Sequence, residues 1–242
     1  MKTCNETANH ARRRALGIRA RRAAGTGLLL LLAGCAGTQG RPDLRLERTA
    51  LLALLQTLNA DLLAHDSATL TLERWCADHR LADPARIVAR RLRDVDKPVP
   101  DDVRAKLAVG PDEPIGYRHV ELACGGHVLS EADNWYVPGR LSADMNLRLN
   151  STDEPFGKVV APLHFRRRTL SAQLLWSPLP AGWELAVDPP RFAGAELRIP
   201  QRLLRHEAIL YSDTQVPFSA VIETYTNAVF DFGSWRPRLD SR

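Results

Sequence analysis

Histidine and cysteine are the side chains that would bring metal or covalent chemistry to this 242-residue chain, and their spacing supports neither. The seven histidines (10, 65, 79, 119, 127, 164 and 206) never stand as H-x-x-x-H or H-E-x-x-H, and no C-x-x-C occurs. Zinc sites need ligands gathered at such spacings. The phosphate-cradling G-x-G-x-x-G and G-x-x-x-x-G-K-[ST] loops are missing, as is the G-x-S-x-G elbow of serine hydrolases. Nucleotide-driven, metal-dependent and triad chemistry are therefore not expected, and neither is a cofactor. What remains is Arg and Glu chemistry inside a pocket. By strand alternation Arg118 shares a face with Val120 and Leu122, and Glu223 shares one with Val221. Charges on faces that also carry apolar side chains are expected to point into a pocket; the alternative for both is an exposed strand face, the commonest place for Arg and Glu.

Other reactive-looking groups read more plainly. His206 and Glu207 are adjacent in a strand, so they point to opposite faces and form no dyad. Arg166-Arg167-Arg168 reads as a solvated strand edge. Trp135, alternating with Val137, reads as core, and His119 and His164 as hydrogen-bonded structural histidines. Cys76 and Cys124 stand 48 residues apart, which does not place them within bonding distance. Two unrelated buried thiols are the simpler expectation, and a disulfide is the alternative.

The elements that must position these residues follow from periodicity and turn residues. Leu51, Leu55, Leu58 and Leu62 recur at helical spacing from Glu47 onward. Ser67 can cap a second helix to about Asp78, with Leu70, Leu72, Trp75 and Cys76 as inward candidates. After Asp83-Pro84 the period changes: 86–93 reads as a strand, Asp101 to Leu107 as one or two helical turns. Gly116 to Ala123 and His127 to Val137 form a hairpin about Gly125-Gly126. Ser142 caps a short helix to Leu149, and Pro155-Phe156-Gly157 opens a turn. Leu163–Trp176, Trp183–Val187 and Ala195–Ile199 read as strands, and Arg202 to Tyr211 with Val216 to Tyr225 as the last hairpin. Leading helices followed by strands with Gly/Pro turns predict a single α+β domain over 47–230 with an antiparallel sheet, and a tail over 231–242.

Composition is ordinary for a globular chain, with 45% hydrophobic and 25% charged residues, which excludes collagen, low-complexity disorder and a multi-span membrane protein. The net +5 is concentrated at the start. Residues 1–34 hold seven basic side chains against Glu6 alone, while the other 208 residues hold 26 basic and 27 acidic ones. The body gives no electrostatic case for nucleic acid. The start itself reads as an export leader: a basic stretch from Arg12 to Arg22, then Leu28 to Leu32, then Ala33-Gly34-Cys35. Leu32-Ala33-Gly34-Cys35 resembles the bacterial lipobox, so residues 1–34 are expected to be removed and Cys35 lipidated, with 35–46 as a tether. Ala36 after the cysteine points to the outer membrane, periplasmic face; a mis-assigned start codon would instead imply a cytoplasmic protein. A monomer is expected.

Three segments carry a resemblance. They are Gly116-Tyr117-Arg118-His119-Val120-Glu121-Leu122 with Cys124-Gly125-Gly126; Glu131 to Pro138, trailed by Thr152-Asp153-Glu154-Pro155-Phe156-Gly157; and Arg205 to Tyr211 followed by Val216 to Tyr225. In order they resemble the chorismate lyase superfamily, which includes the UTRA-type ligand-binding domains of bacterial transcription regulators. The resemblance implies a six-stranded antiparallel sheet covered by helices, and a buried pocket that converts chorismate to 4-hydroxybenzoate and pyruvate without a cofactor. It implies that Arg118 anchors the ring carboxylate, that Glu223 meets the ring hydroxyl and handles a proton, and that Phe156-Gly157 form the pocket wall. Asn134 stands where the family usually carries an arginine, which weakens recognition of a second anionic group. The alternative is a non-catalytic envelope lipoprotein holding a small aromatic or carboxylated molecule in the same pocket.

Overall fold

The leucine stripe from Leu51 to Leu62 lies along the first helix, α1 (Leu44–Ala64), and all four leucines are buried. Each such side chain contributes roughly 2 kcal/mol by leaving water. The structure, a computed structural model, describes residues 44–188, 190–192 and 197–233. In α2 (Ala68–Asp78) the Ser67 hydroxyl accepts from the Leu70 amide at 3.3 Å, closing the first turn as expected of a cap. Leu72, Trp75 and Cys76 turn inward with Thr69 and Thr71. Leu70 does not: it points off the far side of the helix and is 46% exposed.

Six strands follow: β1 (Ile87–Arg91), β2 (Gly116–Cys124), β3 (His127–Tyr136), β4 (Arg166–Leu174), β5 (Arg202–Tyr211) and β6 (Pro217–Thr226). They form one sheet in the order β1-β2-β3-β6-β5-β4, every pair antiparallel. The β2–β3 turn uses Gly125 at φ +56°, a conformation that a Cβ would strain. A six-residue helix, α3 (Asp101–Lys106), and two more, α4 (Ala143–Ser151) and α5 (Phe156–Val159), complete the fold, with the Ser142 hydroxyl capping α4. The α+β class and the six-stranded antiparallel sheet are thus as read from the sequence.

Both faces of the sheet are packed, unequally. The α1 and α2 leucines, Leu72 and Trp75 meet Ile87, Val120, Leu122, Ala132, Leu204 and Tyr225 on one face, with the buried turn Asn227–Phe230 closing the end. Met145, Leu149, Val159 and Val160 of α4, α5 and the residue after extend that layer against Tyr136, Leu210 and Phe218. On the other face α3 contributes Val103, with Leu107 just beyond it, to a smaller cluster with Trp135, Val137, Ile209 and Ala220.

Several expectations need correction. Cys76 and Cys124 are bonded, with Sγ atoms 2.05 Å apart, because α2 packs against the end of β2 and closes a separation that the chain alone leaves open. Trp183–Val187 is not a strand: Trp183–Leu185 forms one 3-10 turn with Leu185 and Val187 exposed, so its alternation has no neighbouring strand to pair with. In Ala195–Ile199, residues 195 and 196 lie outside the described residues and Ile199 makes only an isolated bridge. The first helix opens at Leu44, within the segment read as a tether. The leader 1–34, Cys35, the tether to residue 43 and the tail from 234 lie outside the described residues. Among the described residues no helix is long and apolar enough to cross a membrane.

Candidate functional site

Antiparallel register sets two rows of side chains across the central strands. In the first, Arg118 of β2 faces Asn134 of β3, which faces Val221 of β6 and then Ala208 of β5. In the second, Val120 faces Ala132, then Glu223, then His206. Cross-strand partners share a face. Arg118, Asn134 and Glu223 therefore stand together on the face that α1 and α2 cover. Between that face, the start of α2 and the Phe156–Val159 turn lies a pocket, partly open to solvent, with about 490 Å³ of empty space counted out into the open solvent. Its walls are mostly apolar (Val120, Leu122, Ala132, Phe156, Phe165, Leu210 and Val221), and Asn134, Arg167 and Glu223 are among its few polar groups. Gly157 lets α5 approach α2 closely, since a Cβ there would stand 3.1 Å from the Ser67 hydroxyl and 3.3 Å from that of Thr69.

Of the residues singled out in the sequence, Asn134, Phe156, Gly157 and Glu223 line this cavity. Arg118 stands one strand over, beside Asn134, and borders an adjoining polar hollow with Arg91, Arg93 and Asp96. It is only 1% exposed, and Nε, Nη1 and Nη2 all lack a hydrogen-bond partner. Burial, then the neighbouring Arg91, pulls its pKa down to about 10. A guanidinium in this state is costly unless an anion answers it, and a carboxylate does so through two parallel hydrogen bonds. The Asn134 side-chain oxygen accepts from the Ser219 hydroxyl at 2.6 Å. No described residue accepts from its amide nitrogen.

Glu223 is already engaged. Arg167 Nη2 lies 2.6 Å from its Oε2 and the Tyr225 hydroxyl donates to the same oxygen at 3.1 Å, with the Arg167 and Glu223 side chains 4% and 9% exposed. Arg167 is therefore not on a solvated edge. Its register partner is Leu210, so it points to the covered face and into the cavity, while Arg166 and Arg168 remain exposed. Burial opposes the charge on Arg167, yet Glu223 holds its pKa above the ordinary value. Burial, then Glu223, raises the Tyr225 hydroxyl well above its ordinary range.

His206 joins this group unforeseen. It is fully buried, its Nε2 meets Asn59 Oδ1 of α1 at 2.9 Å, and its ring stands edge-on to Tyr225. Burial, then Arg167, lowers its pKa to about 4, so the ring is neutral. The signal was present in the last hairpin, whose register pairs His206 with Glu223. Glu207 does point to the other face, where it binds Arg205. His119 is a structural histidine as read, with Nδ1 2.8 Å from Asp133 on the far face. Among the described residues no three His, Cys, Asp or Glu side chains are grouped to hold a metal ion.

No protein-family model matches the chain. Over 192 residues it is 55% identical to the uncharacterized protein y4mC of Sinorhizobium fredii, covering 79% of this chain and 81% of that one. Similar solved structures include PhnF of Mycobacterium smegmatis, at 14% identity and TM-score 0.43 over 74% of this chain and 69% of that one. Another is a ligand-binding domain, described as belonging to a GntR-family transcriptional regulator, from Bordetella bronchiseptica (14%, TM-score 0.38, 59% and 83%). A third, YydK of Bacillus subtilis, described as a transcriptional regulator, matches at 16% identity and TM-score 0.34 over 57% of this chain, which spans 57% of YydK's length.

Proposed function

The chain belongs to the family of the Sinorhizobium fredii protein y4mC, and we propose that it binds a small carboxylate, with the anion at Arg118 and the apolar body, an aromatic ring by preference, in the adjoining cavity. The observation that carries this is the Arg118 guanidinium, buried with all three nitrogens unpartnered and flanked by Arg91 and Arg93. An anion entering there gains charge-assisted hydrogen bonds and relieves a standing electrostatic penalty. The mostly apolar walls suit a ring, and Asn134 offers one further polar contact.

The finer reading is a lyase that eliminates pyruvate from chorismate to leave 4-hydroxybenzoate. It requires Glu223 to give or take a proton. Because Arg167 and Tyr225 already occupy the Glu223 carboxylate, binding without turnover is the better reading. Calorimetric titration of the full chain with 4-hydroxybenzoate tests it: saturable binding is expected, weakened about tenfold or more in Arg118→Met, because a hydrogen bond to a charged group contributes about 1.5–3 kcal/mol. Equal affinity in the variant refutes the site. Incubation with chorismate, followed by chromatography, decides the chemistry. Product formation that disappears in Glu223→Gln would establish the lyase.

The same proposal places the protein in the envelope, anchored through lipid on Cys35. The leader and lipobox-like tetrapeptide support this, as does the Cys76–Cys124 bond, since disulfides persist in oxidising compartments. Labelling with radioactive palmitate in a bacterial host is expected to mark the wild-type chain and not Cys35→Ser; labelling of both would remove Cys35 from the proposal.

A further inference from the structure

The far face of the sheet carries a second cavity, between α3 and strands β5 and β6, partly open to solvent, with about 580 Å³ of empty space counted out into the open solvent. Val103, Ile209, Ala220 and Ile222 give it apolar walls, and Trp135 and Arg205 also line it. Trp135 is 2% exposed and its indole N–H has no acceptor. Arg205 donates through Nη2 to Glu207 at 3.0 Å, while its buried Nε–H has no acceptor either. Native interiors pair such donors, because a buried N–H without a partner forfeits its hydration for nothing. Both donors belong to residues that line the cavity, and apolar walls with a few polar groups among them are the makings of a small-molecule site.

The charges narrow the ligand. Both cations at this cavity are already matched, Arg205 by Glu207 and Lys106 by Asp102 at 2.5 Å. A carboxylate entering here would meet two carboxylates as well as two cations, and would gain little for its lost hydration. A neutral carbonyl oxygen has two lone pairs to accept from the unpaired N–H groups and brings no charge. We propose that this cavity is a second ligand site, separate from the Arg118 site, for a small neutral molecule that joins a carbonyl group, as in an amide or ester, to an apolar chain or ring.

The test uses the full chain labelled with ¹⁵N and the neutral probe hexanamide, with hexanoate as its charged counterpart. The Trp135 indole resonance, assigned by its loss in Trp135→Phe, is expected to move downfield and saturate as hexanamide is added. Arg205→Met, a change at a half-exposed side chain, should weaken that binding at least threefold, and hexanoate should bind at least tenfold more weakly. Arg118→Met should leave the hexanamide titration unchanged, which separates this site from the one on the other face. Should Trp135→Phe fail to fold, the resonance is assigned through bonds and Arg205→Met carries the comparison. An indole resonance that does not move, a shift that does not saturate, or equal affinity for hexanoate overturns the proposal.

Discussion

Replacing Arg118 with methionine should make the empty protein more stable, not less. The guanidinium is 1% exposed, and burial pulls its pKa down from the ordinary value to about 10. At about 1.4 kcal/mol for each tenfold change in proton affinity, keeping that charge in the folded chain costs about 3 kcal/mol. Methionine keeps most of the side chain's length and needs no acceptor, but fills the space less well, so a net gain of about 1–3 kcal/mol is expected. In a chain of this size that is a rise in Tm of roughly 3–10 °C. A base whose pKa is lower in the folded state carries its penalty at every pH below the folded value. The gap between variant and wild type should therefore stay constant from pH 5 to pH 9. Scanning calorimetry of both proteins at several pH values measures it. A carboxylate at a hundred times its wild-type Kd should stabilise the wild type by about 2.7 kcal/mol, raising its Tm, and stabilise the variant by about 1.4 kcal/mol or less. If Arg118→Met lowers Tm like the loss of an ordinary core residue, then Arg118 serves the fold itself and the argument for an anion site fails. Sites kept for binding at the expense of stability behave in the predicted way.

Other expectations are as specific. Arg167→Met strands the Glu223 carboxylate in the interior and should cost about 3–5 kcal/mol by urea unfolding, most of it regained in Arg167→Met/Glu223→Gln; a loss under 1 kcal/mol would show the pair to be solvated. Reducing Cys76–Cys124, or replacing both with alanine, should cost up to about 4 kcal/mol on the loop-entropy argument for a 48-residue separation, read as a fall in Tm with dithiothreitol. An unchanged Tm would mean that the thiols are not joined. His206 binds a proton near pH 6.5 when unfolded but only near pH 4 when folded, so its neutral form supports the fold above pH 6.5 and that support is lost as pH falls towards 4. The loss reaches about 3 kcal/mol, and His206→Gln should flatten the pH dependence of Tm over that window. An equally steep fall in the variant would assign the acid sensitivity elsewhere.

Local patterns were legible where one face of an element is buried. The α1 leucines, the Ser67 and Ser142 caps and the two Gly-turned or polar-turned hairpins could be read from the chain, because spacing and turn residues decide them without reference to distant parts. Alternation also placed Arg118 and Glu223 on apolar-bearing faces. What alternation lacks is a partner. Arg167 sits in a run of three arginines whose middle member turns inward, and only the register with Leu210 reveals the inner one. The Cys76–Cys124 bond depends on α2 docking at the end of β2, a contact between elements rather than a pattern within one. Trp183–Val187 shows the converse error: a strand-like alternation beside which no strand runs.

The strand order divides the sheet into two halves, β1-β2-β3 and β4-β5-β6, stitched together only by β3 and β6. Asn134 and Val221 meet across that stitch from positions far apart in the chain. Pairings between sequence neighbours close cheaply, and pairings between distant segments close late, because the intervening chain must first be ordered. The cavity beside Glu223 straddles this junction, with Asn134 on one half and Glu223 on the other. Its two sides therefore come together only when that distant pairing closes. A ligand bound there would touch both halves of the sheet at once and act as a clasp between them.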